Sequence, residues 1–145
     1  GITSLGNYFF YGVSCTDIKL ADSIESIGGY AFSGAQIEHI KLPDKLKYIN
    51  NDAFYFCDNL KEIVFPKSIS SIGTSAFENC SVLSKVNFKA MGNELTISSR
   101  AFFKCPLLKR VDVPSLAKLS KYSFGYEKAS VDGTYDGFTL GVYSG

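Results

Sequence analysis

The sequence predicts a β-rich α/β solenoid of about six short coils, with a parallel sheet on one face and short helical turns on the other. Three observations predict this fold. One pattern of apolar residues recurs every 22 to 25 residues along nearly all of the 145 residues, and such a period is typical of solenoids. Each period contains an alternating apolar triplet, typical of a strand. Each period also contains apolar residues spaced three apart, typical of a helical turn.

The repeat is clearest at an Ala-Phe dipeptide that starts at Ala31, Ala53, Ala76 and Ala101. Phe9-Phe10 and Ser123-Phe124 fill the same position in the first and last units. We therefore predict one solenoid domain over residues 1–145. Its repeats are predicted to start near residues 2, 24, 46, 69, 94 and 116, and residues 125–145 are predicted to form an atypical C-terminal cap.

The triplet that follows each dipeptide is the predicted strand. Ile63-Val64-Phe65 is an example, and β-branched and aromatic residues of this kind favour a pleated, half-buried strand. One strand per unit, always in the same direction, predicts a parallel sheet in which the outer residues of each triplet point inward. In the first two units this triplet comes one residue earlier than in the later ones. The segment from Ala-Phe to the following Cys and Leu is the predicted helical turn.

These residues resemble a known family. The pattern I-x-x-I-G-x-x-A-F-x-x-C-x-x-L-x-x-I-x-F-P, which is clear over residues 46–66 and 69–88, is similar to the BspA-like leucine-rich repeats of bacterial surface proteins. The resemblance covers about residues 2–124 and implies a right-handed leucine-rich-repeat solenoid. It also implies an extracellular or cell-surface location and a role in adhesion or protein binding.

Composition narrows the function classes. The chain has 15 Lys and Arg against 14 Asp and Glu, a formal net charge of +1, which argues against a partner bound through bulk electrostatics, so no nucleic-acid partner is predicted. No apolar stretch approaches the length of a membrane helix, so no membrane insertion is predicted. The first residues lack a signal-peptide pattern, and we expect the chain to be part of a longer protein.

No catalytic residue, metal site or cofactor is predicted. His39 is the only histidine, and the sequence shows no partner nucleophile for it. No G-x-S-x-G, P-loop or H-E-x-x-H motif occurs. Cys57, Cys80 and Cys105 share one inward position, so we expect a stack of buried, reduced thiols rather than disulfides. Cys15 occupies the position that Leu60 holds in another unit and is expected to be buried too.

The outward face of the triplet strands is the predicted binding surface. Its side chains are predicted to form two columns, Asp17, His39, Glu62, Lys85 and Arg110 beside Lys19, Lys41, Val64, Asn87 and Asp112. The candidate binding residues are Lys19, His39, Lys41, Glu62, Lys85, Asn87, Arg110 and Asp112. This face is mixed in charge with a basic excess, and it is equally compatible with residues that only keep the protein soluble. Tyr8, Tyr30 and Tyr122 share a different position and are a second hypothesis, an exposed aromatic patch.

Two classes of function remain open at this point. The first is a non-enzymatic extracellular interaction or adhesion module that binds a host or matrix protein, or a polysaccharide. The second is a structural spacer or display module in a larger multidomain surface protein. A carbohydrate-binding module is a further alternative, although the two columns contain no aromatic stripe on which sugar rings would stack.

Overall fold

The computed structural model describes residues 1–89, 92–125 and 138–143, and these form a parallel β-solenoid. Each coil contributes strands to two sides of the solenoid. The strands on the first side are β1 (Ser4–Leu5), β3 (Ser26–Ile27), β5 (Tyr48–Ile49), β7 (Ser71–Ile72), β9 (Leu95–Ile97) and β11 (Ala117–Leu119). The triplet strands on the second side are β2 (Asp17–Lys19), β4 (His39–Lys41), β6 (Glu62–Phe65), β8 (Lys85–Phe88), β10 (Arg110–Pro114) and β12 (Thr139–Tyr143).

The continuous sheet is not the one that the triplets predict. It consists of the very short strands on the first side, in the order β1-β3-β5-β7-β9-β11. The triplet strands instead pair two by two, β2 with β4, β6 with β8 and β10 with β12, all in parallel. The second inward-facing apolar pair of each repeat, such as Ile24 and Ile27, therefore marks the uninterrupted sheet. We call the outward surface of the triplet strands the triplet face.

The predicted helical turns are wrong, because the described part of the chain contains no helix. The Ala-Phe segment is a run of tight turns that starts and ends with residues in the left-handed region, for example Asp52 at φ 60° and Phe56 at φ 56°. A helix cannot extend through such residues. The N–H of Phe54 donates to the carbonyl of Ala76 in the next coil at 2.7 Å, so bonds between coils replace those of a helix.

Stacked phenylalanine rings fill the interior between the two sides. Phe54 is fully buried and stacks on Phe32 at 4.9 Å and on Phe77 at 4.8 Å between ring centroids, with interplanar angles of 8° and 4°. The same ladder continues through the rings of Phe10, Phe32, Phe54, Phe77, Phe102, Phe124 and Phe138. Because each ring packs against the next coil, a coil cannot bury its own apolar residues without its neighbours.

The thiols form a second ladder beside the rings. Cys57, Cys80 and Cys105 are fully buried thiols, as predicted, and each donates to the carbonyl of a phenylalanine in a preceding coil. Cys57 bonds the Phe32 carbonyl at 3.0 Å, and burial raises the pKa of the Cys57 thiol to about 12. The expectation for Cys15 is wrong. This thiol is exposed because it lies in the first of the described coils, where no earlier coil covers it.

The last strand extends the triplet side. β12 pairs with β10 in parallel, from Arg110 opposite Thr139 to Pro114 opposite Tyr143, and the ring of Phe138 stacks on that of Phe124 at 5.4 Å. Most of the predicted cap over residues 125–145 lies outside the described residues, so its capping role stays a prediction.

Candidate recognition face

The triplet face carries the predicted binding residues on its exposed surface. All eight are exposed: Lys19, His39, Lys41, Glu62, Lys85, Asn87, Arg110 and Asp112. Asp17 lies opposite His39, Lys19 opposite Lys41, Glu62 opposite Lys85, and Val64 opposite Asn87. The columns are therefore aligned as predicted within the pairs β2–β4 and β6–β8, but no shared ladder continues them from β4 to β6 or from β8 to β10. We call Asp17, His39, Glu62, Lys85 and Arg110 the first row, and Lys19, Lys41, Val64, Asn87 and Asp112 the second row.

At the C-terminal end of this face, two of the predicted residues bind each other. Arg110 donates from Nε to Asp112 Oδ2 at 3.1 Å and from Nη2 to Oδ1 at 2.6 Å. These bonds raise the pKa of the Arg110 guanidinium and lower that of the Asp112 carboxyl. Both side chains lie over Gly141 of β12, where a Cβ atom would come within 1.9 Å of Asp112 Oδ1. Their charges therefore neutralise each other.

The face is interrupted between β4 and β6. These strands are neighbours but share no ladder, which is also true of β8 and β10. The interruption between β4 and β6 falls where the repeat changes length. Ile40 follows Ala31 by nine residues, whereas Ile63 follows Ala53 by ten. A one-residue difference changes which residues of adjacent strands face each other. The Lys61 N–H still donates to the Glu38 carbonyl at 3.2 Å before the two strands, and the Ser70 N–H donates to the Lys47 carbonyl at 2.9 Å after them, so the interruption is confined to the strands.

An open cleft of about 500 Å³ lies at this interruption. It is lined by Asp17, Ile18, Lys19, His39, Ile40, Lys41, Leu42, Glu62, Val64, Pro66 and Lys89. Four of the eight predicted residues are in this set, namely Lys19, His39, Lys41 and Glu62. Lys85, Asn87, Arg110 and Asp112 lie on the same face outside the cleft.

The floor of the cleft consists of aliphatic side chains. Ile18 and Ile40 are half-buried, whereas the residues at the same position in later coils, such as Ile63 and Val86, are 1% and 4% exposed. Val64 is 41% exposed at the opposite wall. The first two coils thus leave apolar surface open that the later coils cover. Sequence reasoning noted the shorter repeats but did not predict this cleft.

The rim of the cleft is basic on one side. Lys19 and Lys41 lie directly opposite each other on β2 and β4, and neither forms an ion pair within the parts of the chain that the structure describes. A smaller depression of about 230 Å³ lies on their other side and is lined by Lys19, Leu20, Asp22, Lys41, Pro43 and Asp44. The Lys89 ammonium lies 3.8 Å from the Asp44 carboxylate.

The tyrosine hypothesis is confirmed only at one end. Tyr8 and Tyr30 stack with centroids 5.0 Å apart and nearly parallel planes, and Tyr11 lies against Tyr8 at 5.6 Å. Tyr122 contacts Phe103 at the other end of the solenoid instead. Asp52, Ser75 and Arg100 occupy the same position in the intervening coils, and all six residues have positive φ. The three predicted tyrosines therefore do not form one patch.

The described residues show neither a metal site nor a membrane span. Among residues 1–89, 92–125 and 138–143, no three His, Cys, Asp or Glu side chains lie together where they could bind a metal ion. No helix in these ranges is long and apolar enough to cross a bilayer.

Comparison with known proteins identifies the repeat. A family model for the BspA-type leucine-rich repeat region matches six copies over residues 3–130. The chain belongs to the BspA-type leucine-rich repeat family. The predicted resemblance is therefore confirmed, and the fold is the leucine-rich-repeat form of a parallel β-solenoid.

Solved bacterial structures share this leucine-rich repeat. A leucine-rich repeat protein of T. pallidum is 30% identical with a TM-score of 0.70, over 97% of this chain and 63% of that one. The pneumococcal vaccine antigen PcpA is 26% identical with a TM-score of 0.69, over 89% of this chain and 29% of that one. A leucine-rich repeat protein of Eubacterium ventriosum is 20% identical with a TM-score of 0.60, over 88% and 41%. The chain thus spans less than two thirds of each of these structures. No curated protein matches the chain.

Proposed function

We propose that this chain is a non-enzymatic, extracellular interaction module of a bacterial surface protein. It binds a host or matrix macromolecule through its triplet face, with the cleft between β4 and β6 as the contact site. The family and the likeness to a pneumococcal antigen support the surface location. The proposed partner is neither a nucleic acid nor a lipid bilayer, and binding requires no cofactor.

The open cleft is the observation that carries this proposal. Solenoid proteins use their extended faces for recognition, and ligand sites are concave, largely apolar surfaces with a few polar groups at their rims. The cleft of about 500 Å³ has an aliphatic floor and a charged rim. Ile40 has a coil on either side and is still half-exposed, whereas later coils bury the equivalent residues. A face that only kept the protein soluble would not need such exposed apolar surface.

A panel of immobilised matrix proteins and glycans tests the proposal. The wild-type chain is compared with Val64→Arg, which fills the cleft, and with Tyr48→Arg, a matched control on β5 of the continuous sheet. Both side chains are exposed, at 41% and 48%, so both variants are expected to fold. We expect the wild type to bind a partner, Val64→Arg to lose binding, and Tyr48→Arg to keep it.

Other outcomes would contradict the proposal. Equal binding by all three proteins would show that the cleft is not the contact site. No binding by the wild type to any member of the panel would favour the spacer or display function. Loss of glycan binding in Tyr8→Ala, with Val64→Arg unaffected, would move the site to the Tyr8–Tyr30 stack and favour a carbohydrate-binding module.

A further inference from the structure

We propose that the cleft between β4 and β6 binds an acidic peptide segment. A carboxylate of that segment lies between the ammonium groups of Lys19 and Lys41, and a neighbouring aliphatic side chain rests on Ile18, Ile40 and Val64. This inference rests on the proposed function and names the chemistry of its partner.

The opposed lysines are the first argument. Lys19 and Lys41 are register partners on adjacent parallel strands, which lie about 4.8 Å apart. Like charges directly opposite each other are destabilising. Neither ammonium has an ion-pair partner among the described residues. A carboxylate that bound both ammonium groups would relieve this repulsion and accept two charge-assisted hydrogen bonds.

The acidic groups of the first row are placed differently. Asp17 lies opposite His39, and Glu62 lies opposite Lys85, so each carboxylate has a basic residue as its cross-strand neighbour. Lys19–Lys41 is the like-charged register pair among the described triplet strands, and a complementary ligand is an anion at that position.

The floor of the cleft distinguishes a peptide from a sulfated or acidic glycan. No Phe, Tyr or Trp side chain lines the cleft, so it lacks the large apolar ring faces on which sugars stack. The exposed surfaces of Ile18, Ile40 and Val64 instead suit an aliphatic side chain, which loses contact with water on binding. In an extended peptide, an acidic residue beside an aliphatic one could place its carboxylate between the two lysines while the aliphatic side chain packs on the floor.

Selection from a phage library of random dodecapeptides tests the inference. Peptides are selected on the wild-type chain, and their affinities are measured by fluorescence polarisation against Lys19→Gln/Lys41→Gln. Lys45→Gln/Lys67→Gln is the matched control, because it removes the same charge from exposed lysines that line neither depression. We expect selected peptides to be enriched in Asp and Glu beside aliphatic residues. They should bind the first variant at least about tenfold more weakly and the control as they bind the wild type.

Three results would overturn the inference. The first is a selected set without acidic enrichment. The second is equal affinity for both double variants. The third is binding to immobilised heparin that depends on Lys19 and Lys41 while no acidic peptide is selected, which would assign the lysines to a sulfated glycan. If Val64→Arg abolishes binding to the matrix panel while one of these results holds, the proposed function stands and only the acidic-peptide chemistry fails.

Discussion

The phenylalanine ladder makes the strongest prediction about stability, and Phe54 is the position at which to test it. The Phe54 ring is fully buried and lies between the rings of Phe32 and Phe77, with centroid distances of 4.9 and 4.8 Å. Substitution by Ala removes the ring from the centre of the ladder and leaves a cavity between the rings of Phe32 and Phe77. Because the coils stabilise their neighbours, losing the Phe54 ring weakens the contacts to both adjacent coils.

The expected magnitude follows from burial and stacking together. Replacing a buried Phe by Ala lowers the free energy of unfolding by about 3–5 kcal/mol. Two stacked ring pairs add about 0.5–1.5 kcal/mol each beyond area burial, which places Phe54→Ala at the upper end of that range. Phe10 is half-buried at the start of the ladder and stacks on Phe32 at 5.3 Å. Phe10→Ala should therefore lower the free energy of unfolding by less than Phe54→Ala.

Urea denaturation followed by circular dichroism measures these differences. Phe56→Ala is the matched control because that ring is 44% exposed, and its loss should cost about 1 kcal/mol or less. We expect the order Phe54→Ala, then Phe10→Ala, then Phe56→Ala, from most to least destabilising. A Phe54→Ala variant as stable as Phe56→Ala would refute the argument that the ladder holds the coils together.

Three further outcomes are expected. Gly73→Ala should lower the free energy of unfolding in the same urea titration by about 1–3 kcal/mol, because the new Cβ would lie 2.7 Å from the backbone of the preceding coil. Gly6→Ala is the control and should be neutral, since its Cβ would meet nothing within 4 Å. A thiol reagent at pH 8 should modify Cys15 alone in the folded chain and all four cysteines in urea, since three are buried and buried thiols are inert; rapid modification of more than one thiol without urea would contradict this. Lys41→Gln should leave the melting temperature unchanged or raise it, because it removes the repulsion with Lys19; a lower melting temperature would contradict that repulsion.

Much of the fold could be predicted from the sequence because a solenoid repeats its chemistry. Phe32, Phe54 and Phe77 recur at one position, and a recurring apolar residue in stacked coils must meet its own equivalents. The same reasoning placed Lys19 opposite Lys41 and Glu62 opposite Lys85, as the register shows.

The helical turns could not be excluded from the sequence. Apolar residues three apart suit a helix, but the structure places Tyr30, Phe56 and Lys104 in the left-handed region. That conformation costs about 1–3 kcal/mol for a non-glycine residue, and nothing in these side chains indicates it. Hydrogen bonds between coils, such as Phe32 N–H to the Ala53 carbonyl at 2.7 Å, offset the cost only after the coils have stacked.

The candidate site was predicted as a face but not as a cleft. The two columns could be predicted because the alternation of inward and outward side chains is visible within each strand's own sequence. The opening between β4 and β6 depends on how two neighbouring coils pack when the segment from Ala to the triplet is nine residues long in one and ten in the other. The sequence of a single coil does not show how the two pack. The one-residue difference between the spacings of Ala31–Ile40 and Ala53–Ile63 was the available signal.

Amide chemical-shift mapping of the ¹⁵N-labelled chain, titrated with a partner that it binds from the matrix panel, locates the recognition site directly. We predict that the largest shifts cluster at Lys19, Lys41 and Val64 on β2, β4 and β6. We also expect the continuous sheet, with Tyr48 as its reporter, to change little. Shifts that centre on the continuous sheet or on the stack of Tyr8 would contradict the assignment of the cleft as the recognition site.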